Sequence, residues 1–399
     1  MPRRIIFEAV ILMLLIVAIG IKYNEIAVAT PGTIVVPSPG YETIQKAINA
    51  ANTGDIIRVS AGIYKENLLV NKTVSIIGEN ASTTIIDGGK VGNVVTILSP
   101  YVVIDGFTVQ NGKSEVYPYW GISVYMCNSA TIKNNILRNN YYGVQLTRSN
   151  KSRIFNNLIL NNSYAGIYIH DNASNNVFFE NDVQNNPVYG LWSQNSQSNI
   201  FYHNNFINNT YQTGIFNSPT ILDDGAEGNY WSDYKGVDAN PRDGIADSKY
   251  LGDNYPLMGV FKNFTFTYKS QTYFLSTICN STVSNFQFDE SHRKISFNVS
   301  GQNATRGFCR IATFINHTVL VDDNAPSYFR NWTISQKVYS YFIYEHTNAS
   351  REVTIGLKFP EDRGSSPFPI MEMVVIVTIL IVVMSTILVL TMRKKKKGR

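Results

Sequence analysis

The stretch Gly121-Ile122-Ser123-Val124 recurs as Gly143-Val144-Gln145-Leu146, Gly166-Ile167-Tyr168-Ile169 and Gly190-Leu191-Trp192-Ser193, and Gly214-Ile215 begins a fifth copy. The glycines are separated by 22, 23, 24 and 24 residues. After each glycine, apolar side chains alternate with polar or aromatic ones, which is the period of a β-strand. A unit this short cannot bury its apolar side alone, so successive units must stack into a solenoid.

Two further apolar columns follow in every repeat. The second column holds Ile132, Ile154, Val177 and Ile200, and the third holds Leu137, Ile159, Val183 and Phe206. Three columns predict three sheets. The sequence therefore predicts an all-β protein built on a right-handed parallel β-helix, a three-sheet solenoid with rungs about 4.8 Å apart.

Asparagines form two more columns, one at Asn135, Asn157, Asn181 and Asn204 and the other at Asn139, Asn161, Asn185 and Asn208. Asparagine tolerates the left-handed turn conformation, and its amide can donate and accept along a stack. We expect both columns to stack. Asn161 and Asn208 also begin N-x-S/T sequons, and we expect them to stay unmodified because an attached glycan would expel the amide.

The repeats resemble those of the NosD-like and pectin-lyase-like superfamily of parallel β-helices. The segment from Tyr41 to Asn67 is similar to the start of that domain in archaeal surface proteins. The segment that closes the domain resembles Gly228-Asn229-Tyr230-Trp231-Ser232-Asp233-Tyr234, continued by Asp243-Gly244-Ile245-Ala246-Asp247 and Asp253-Asn254-Tyr255-Pro256-Leu257-Met258. The resemblance implies a β-helix over residues 33–260 with an N-terminal helical cap, and an amphipathic helix from Thr43 to Ala51 would cover the open first rung.

The two termini predict where the protein works. Residues 1–29 combine two arginines, an apolar run and small residues suited to cleavage, which indicates a signal peptide or, alternatively, an uncleaved anchor. Residues 370–392 are predicted to form a transmembrane helix, since a buried core helix is rarely so uniformly apolar, and residues 393–399 form a basic cytoplasmic tail. We expect a single-pass protein of the cell membrane with an extracellular ectodomain.

The glycine period vanishes after the β-helix. Residues 262–360 show alternating stretches typical of a small all-β domain, a β-sandwich, and residues 361–369 form a linker. Phe297-Asn298-Val299-Ser300-Gly301 and Thr305-Arg306-Gly307-Phe308-Cys309 resemble a membrane-proximal domain that follows β-helices in archaeal surface proteins. Cys279 and Cys309 lie in this domain, where they would form either a disulfide or two separate buried thiols. Cys127 occupies a turn position and is expected to be structural.

The charge and the histidines exclude two classes of partner. Once the charges of the two termini are set aside, the exposed part is near neutral and carries no basic stripe, which excludes nucleic acid. Five histidines are scattered without metal-ligand spacing, so copper is not expected. Calcium is the one cofactor considered: Asp238, Asn240, Asp243 and Asp247 resemble a calcium loop, with an ordinary Asx-rich turn as the alternative.

No catalytic residue is predicted. Glycoside hydrolysis needs two carboxylates about 5 to 9.5 Å apart. The outward positions two and four residues after each glycine carry no Asp or Glu; they are Ser123, Tyr125, Gln145, Thr147, Tyr168, His170, Trp192 and Gln194. The nearest acids, Asp171 with Glu180 or Asp182, belong to different walls of one coil.

Aromatic residues cluster on the same face. Flat rings stack on sugar faces, so this strip is a candidate carbohydrate-binding site, or its rings merely pack against one another across rungs. The strip comprises Trp120, Tyr142, Tyr164, Tyr168, Tyr189 and Trp192. The sequence favours a surface protein that binds polysaccharide or serves in the envelope without catalysis. The alternatives are a polysaccharide lyase or glycoside hydrolase, and a purely structural or adhesive spacer.

Overall fold

A computed structural model describes residues 30–112 and 118–359 of the 399-residue chain. The predicted signal peptide, linker, transmembrane helix and basic tail lie outside these residues. Within them, no helix has the length and apolar character needed to cross a membrane. The described chain forms a parallel β-helix followed by an antiparallel β domain.

Three parallel sheets form the walls of the solenoid, which confirms the number predicted from the apolar columns. The first sheet consists of β1 Thr33–Val36, β2 Ile56–Val59, β5 Ser75–Gly78, β8 Val103–Asp105, β11 Thr131–Lys133, β14 Arg153–Phe155, β17 Val177–Phe179, β20 Asn199–Tyr202 and β23 Thr220–Ile221. The second sheet consists of β4 Leu68–Val70, β7 Val95–Ile97, β10 Trp120–Tyr125, β13 Tyr142–Thr147, β16 Ala165–His170, β19 Tyr189–Gln194 and β22 Tyr211–Phe216. The third sheet consists of β3 Gly62–Tyr64, β6 Thr84–Asp87, β9 Thr108–Gln110, β12 Ile136–Arg138, β15 Leu158–Leu160, β18 Asp182–Gln184, β21 Asn205–Ile207 and β24 Tyr230–Trp231.

The third apolar column is confirmed, but the second is wrong in two coils. Ile154 pairs with Phe178, and Phe178 pairs with Phe201, so these two rings fill the core instead of Val177 and Ile200. Both rings are fully buried and stack at 4.4 Å. The turn before β17 is longer than in the preceding coil, and a one-residue shift moves a side chain to the other face of a strand.

Four of the five recurrent glycines align, and the fifth does not. The pairing of β13 with β16 places Gly143 beside Gly166, whereas the pairing of β19 with β22 places Gly214 beside Trp192 and Gln212 beside Gly190. A Cβ at Gly143 would lie 2.6 Å from the Gly166 carbonyl oxygen and 2.9 Å from Asn162 Nδ2. Glycine is therefore required at the positions of the second sheet that lie against a buried asparagine, because a Cβ there would collide with the asparagine amide.

Buried asparagines form two long ladders in which each Nδ2 donates to the Oδ1 of the next coil, and Asn176 makes the same bond to Asn199 at another corner. The first ladder is the predicted column, extended by one member, and comprises Asn135, Asn157, Asn181, Asn204 and Asn229. The second ladder comprises Asn140, Asn162, Asn186 and Asn209. It ends where Gln212 Oε1 accepts from Asn209 Nδ2 at 3.0 Å, which explains why the glycine column ends at the same coil.

The predicted second column of asparagines is one residue out of register. Its members are exposed and adopt the left-handed conformation, with φ between 53° and 57°; they are Asn139, Asn161, Asn185 and Asn208. Asparagines therefore occur in adjacent pairs such as Asn139 and Asn140. The first adopts the left-handed turn conformation, and the amide of the second stacks in the ladder. The reason given for leaving Asn161 and Asn208 unglycosylated is therefore wrong.

Both ends of the solenoid are covered. Helix α1, Ile44–Ala50, buries its apolar side against the first coils, and the Glu66 carboxylate accepts from the backbone N–H of Ile44 at 2.9 Å. At the other end, Asp253 Oδ2 accepts from the backbone N–H of Asn229 at 2.7 Å and from Trp231 Nε1 at 3.0 Å. The closing segment identified in the sequence therefore terminates the first asparagine ladder.

The β domain consists of two antiparallel sheets that share one hydrophobic core. One sheet contains β25 Val260–Tyr268, β26 Gln271–Cys279, β29 Arg306–Thr313, β32 Lys337–Glu345 and β31 Tyr328–Ile334. The other contains β27 Thr282–Asp289, β28 Lys294–Ser300, β33 Arg351–Lys358 and β30 Asn316–Val321. A disulfide joins Cys279 to Cys309, while Cys127 in the solenoid is a buried free thiol.

Polar contacts dock the β domain onto the solenoid. Glu227 Oε2 accepts from Arg310 Nη2 at 2.8 Å and lies 2.8 Å from His203 Nε2. Although burial opposes ionisation, Arg310 and His203 lower the pKa of Glu227 well below its usual range. Asn205 holds Phe261 through two hydrogen bonds, one to its carbonyl oxygen and one from its N–H.

Candidate functional site

The outer face of the second sheet carries the candidate site, since successive coils place equivalent side chains one above another there. One column comprises Ser123, Gln145, Tyr168, Trp192 and Gly214, and the next comprises Tyr125, Thr147, His170, Gln194 and Phe216. Neither column contains an acidic residue.

An aromatic ladder runs along this face. Tyr142 stacks on Tyr168 at 4.7 Å between ring centroids, and Tyr168 stacks on Trp192 at 4.6 Å. Trp120 stacks on Tyr142 from one end, and Tyr164 packs against Trp192 from the side at 5.0 Å. The structure thus brings these sequence-predicted rings into one array, which the last of them, Tyr189, joins at the far end.

The far end of the ladder is open. Tyr189 stacks on Trp192 at 5.9 Å, and Tyr211 follows at 5.4 Å from Tyr189. Gly214 makes room here, because a Cβ at this position would lie 2.6 Å from the Tyr189 ring. Tyr211 is 57 % exposed and Phe216 is 54 % exposed, so these rings have free surface.

Two of the predicted sugar-stacking rings are covered by their neighbours. Tyr142 is 7 % exposed and Tyr168 is 8 % exposed. Burial raises the pKa of Tyr168 to about 12 and raises that of Tyr142 further. These rings pack within the ladder, whereas Trp120, Tyr164, Tyr189 and Trp192 are partly exposed.

A polar network adjoins the ladder. Gln145 accepts from Ser123 Oγ at 2.9 Å, and its Nε2 donates to Thr147 Oγ1 at 2.7 Å. His170 Nε2 lies 2.6 Å from Gln145 Nε2 and 2.8 Å from Thr147 Oγ1. Burial lowers the pKa of His170, and the opposing effect of Asp171 does not offset it. The network holds these polar groups in a fixed arrangement under the rings.

The family model described as periplasmic copper-binding protein (NosD) matches residues 21–236, which is more than half of the chain. The chain belongs to the NosD family.

The histidines of this NosD-family protein do not fit a copper site. His203 is engaged with Glu227, and His317 lies between the Ile315 carbonyl oxygen and Ser340. His346 contacts Ser281 and Thr305. Across residues 30–112 and 118–359, no three His, Cys, Asp or Glu side chains lie together as a metal site would require.

The predicted calcium loop directs its carboxylates to backbone donors. Asp238 accepts from the N–H groups of Asp243 and Gly244 at 3.1 and 2.9 Å, and Asp247 accepts from Ala239 at 2.9 Å. Burial raises the pKa of both Asp238 and Asp243. Asn240 lies in the turn between them. The arrangement is that of an Asx-rich turn, in which the acidic oxygens close the loop on itself.

Similar proteins are found both by sequence and by structure. A cell surface glycoprotein of Methanothermus fervidus is 32 % identical over 139 residues, which make up 33 % of this chain and 22 % of that protein. This chain thus matches about a fifth of the length of that relative. The phiAB6 tailspike, solved with oligosaccharides of Acinetobacter baumannii surface polysaccharide, superposes with a TM-score of 0.31 at 12 % identity, covering 78 % of this chain and 83 % of the tailspike. A pectin methylesterase in complex with a hexasaccharide gives a TM-score of 0.28 at 17 % identity, covering 62 % of this chain and 86 % of the esterase.

Tyr211 and Phe216 were not among the sequence-predicted site residues. The prediction aligned Gly214 with Gly190, which displaced both rings from the columns they occupy. The tyrosines give the correct register, because Tyr211 follows Tyr189 after 22 residues. This spacing equals the shortest one between successive glycines of the repeat.

Proposed function

We propose that this NosD-family protein is a cell-surface β-helix that binds polysaccharide at the open end of its aromatic ladder and does not cleave it. The observation that carries the proposal is the continuous array of rings that ends at exposed Tyr211, with exposed Phe216 on the same strand, β22. The name of the Methanothermus fervidus relative and the predicted signal peptide and membrane span support a surface location.

The chemistry of the ladder suits a sugar. The C–H faces of a pyranose pack on aromatic faces, and its hydroxyl groups bond to donors at the ring edges. The indole N–H groups of Trp120 and Trp192 are buried and have no acceptor within the described residues. The ladder encloses these two donors, so the hydroxyl group of exposed Tyr211 is the donor offered to a sugar at the open end. The inner rings fix the position of the outer ones, so little ordering is needed on binding.

Binding without cleavage follows from the composition of the same face. Its two outward columns supply no pair of carboxylates, and Asp171 lies at the corner beside His170 with its carboxylate 3.3 Å from Nδ1. A hydrolase would need a second acid across the sugar.

A glycan array tests the proposal. The purified protein should retain one or more envelope-type polysaccharides, and the Tyr211→Ala/Phe216→Ala variant should retain them at least tenfold less. Tyr101→Ala is the matched control, since Tyr101 is 67 % exposed but lies in the turn between β7 and β8, five coils from Tyr211 and Phe216. Equal loss in the control, or unchanged retention in the double variant, would contradict binding at the ladder.

Product analysis separates binding from catalysis. Incubation with uronate and neutral polysaccharides should release neither unsaturated products nor new reducing ends. Release of either would replace the proposal with a lyase or hydrolase.

A structural spacer is the second candidate function, and one observation favours it. The faces of Tyr142 and Tyr168 are covered by neighbouring rings, as in ladders that only stabilise a solenoid. A spacer would bind no glycan on the array, and Tyr168→Ala would lower its stability without any binding phenotype.

A further inference from the structure

A cavity of about 170 Å³ lies where the β domain meets the solenoid. We call it the junction cavity. On the solenoid side it is lined by Glu180, and on the β-domain side by Phe274, Ser276, Thr313, Phe314 and Lys337. It lies on a different part of the molecule from the aromatic ladder, because its solenoid wall is the corner between the first and third sheets.

The walls of the junction cavity are held by buried contacts. Arg310 is almost fully buried and binds Glu227, which also contacts His203 in the cavity wall. His203 stacks on Phe261 at 4.1 Å, and Phe261 is fixed by Asn205. The cavity is therefore formed before any ligand arrives, as small-molecule sites usually are.

Two opposite charges face the cavity without pairing with each other. Lys337 forms no ion pair with a carboxylate within the described residues, and its Nζ lies 5.3 Å from the Tyr339 ring centroid. Glu180 Oε1 accepts one hydrogen bond from the described side chains, donated by Asn263 Nδ2 at 3.3 Å. Burial lowers the pKa of Lys337 and raises that of Glu180, so each group lacks the solvation that a partner would restore.

Two phenylalanine rings flank the opening. Phe274 and Phe314 are each more than half exposed, which is unusual for rings of this size on a polar surface. Together with the polar groups inside, they match a ligand with an apolar face, several hydroxyl groups and one negative charge.

We propose that the junction cavity binds a single acidic sugar unit, a hexuronate, whose carboxylate pairs with Lys337. Its hydroxyl groups bond to Glu180, and its C–H face packs on the exposed phenylalanine rings. The cavity volume admits one sugar ring rather than a chain, so the ligand is a free monosaccharide or the terminal unit of an acidic polysaccharide. The inference rests on the proposed function for its ligand class and assigns a second site with its own specificity.

Calorimetric titration of the full chain with glucuronate, galacturonate, their short oligomers and glucose tests this assignment. Uronates should bind at least tenfold more tightly than glucose. Tighter binding of oligomers with a free acidic end identifies the chain terminus as the source, and equal binding of the monosaccharide identifies the free sugar. Absence of uronate binding at millimolar concentrations, or equal affinity for glucose, would overturn the proposal.

Variants locate the binding. Lys337→Gln should lower uronate affinity at least tenfold, whereas Lys358→Gln, in the other sheet of the β domain, should leave it unchanged. Phe274→Ala removes one of the two rings at the opening and should lower uronate affinity several-fold. Uronate affinity that is unchanged in both Lys337→Gln and Phe274→Ala would place the sugar elsewhere.

The two proposals fail separately. Tyr211→Ala/Phe216→Ala should leave uronate affinity at the junction intact. Loss of polysaccharide retention with uronate binding preserved would remain consistent with both sites, whereas loss of uronate binding in this double variant would show that the ladder is the only site.

Discussion

The solenoid and the β domain bury their polar groups in opposite ways. In the solenoid, side-chain amides run through the interior as two ladders, and each amide bonds to the same residue type one coil further on. In the β domain, the core is aliphatic and aromatic, strands pair mainly through antiparallel neighbours, and a disulfide crosses between β26 and β29. A repeated polar contact can therefore serve as a core element only where the chain itself repeats.

The difference follows from geometry. Parallel coils stack equivalent residues at one rung spacing, about 4.8 Å, which lets an amide donate to the next coil and accept from the previous one. Antiparallel sheets place unlike residues opposite each other, so no such column can form. The β domain instead gains stability from its packed rings and from its cross-link.

Removing one amide from a ladder should have the largest effect. Asn181 Oδ1 accepts from both the N–H and Nδ2 of Asn157, and Asn181 Nδ2 donates to the Ile154 carbonyl oxygen at 2.8 Å. Asn181→Ala leaves these buried groups unpaired, and the free energy of unfolding of the solenoid should fall by roughly 3–5 kcal/mol. Guanidinium unfolding followed by far-ultraviolet circular dichroism measures the loss.

Asn185→Ala is the matched control for the ladder. Asn185 is exposed and has φ of 55°, so its replacement should cost only about 1–2 kcal/mol, the penalty for a side chain other than asparagine in the left-handed region. An equal cost for the two variants would show that the ladder adds nothing beyond the turn.

Loss of the disulfide should have a smaller effect, confined to the β domain. Cys279 and Cys309 are 30 residues apart, and closing a loop of that size contributes roughly 3 kcal/mol. In the Cys279→Ala/Cys309→Ala variant, hydrogen exchange should accelerate in β26 and β29 while β13 and β16 keep their protection. Faster exchange throughout the solenoid would mean that the two regions unfold as one unit.

Changing the pH should have the smallest effect on the free energy of unfolding. It compares Asp253, at the end of the solenoid, with Glu227, at the junction with the β domain. Burial raises the pKa of Asp253 to about 6, so between pH 4 and 6 the folded state binds more protons at this carboxyl than the unfolded state does. The contribution of Asp253 to stability is therefore greatest in acid and declines as the pH rises through about 6, by on the order of 2 kcal/mol. Glu227 has the opposite sign, because its lowered pKa gives stability that is present above its unfolded pKa and lost as the pH falls.

Variants separate these two contributions. The difference in unfolding free energy between wild type and Asp253→Asn should shrink as the pH rises from 4 to 6.5. The corresponding difference for Glu227→Gln should grow over the same range. If the difference in unfolding free energy between wild type and Asp253→Asn does not change with pH, the Asp253 carboxyl does not titrate in this range in the folded protein.

Much of the solenoid could be predicted from its sequence because the repeat is almost regular. The column of Leu137, Ile159, Val183 and Phe206 keeps its position in the structure, and the number of apolar columns correctly predicted three sheets. The prediction failed where the spacing changes. The prediction put Val177 in the core instead of Phe178, because a longer turn precedes β17. It also aligned Gly214 with Gly190, two residues away from its true partner, because a glycine was expected at every corner.

The sites were less predictable than the fold. The sequence located the aromatic strip, but which rings are covered depends on stacking between coils that only the register reveals. The junction cavity had no local signal at all, since Arg310 and Glu227 are 83 residues apart and Lys337 approaches Glu180 only when the two regions dock. Contacts between a repetitive and a non-repetitive region leave no periodic trace in the chain.

Because each asparagine ladder has its own terminating residue, the caps at the two ends of the solenoid do not fix the number of coils between them. Helix α1 meets only the first coils. At the other end, Gln212 accepts from the last side-chain amide of the second ladder, and Asp253 accepts from the backbone N–H of Asn229, the last member of the first. Tandem duplication of one repeat within the gene would therefore insert a coil whose amides find partners on both sides, lengthening the rod by about 4.8 Å. The height of this scaffold is an adjustable quantity that gene duplication can tune in uniform steps.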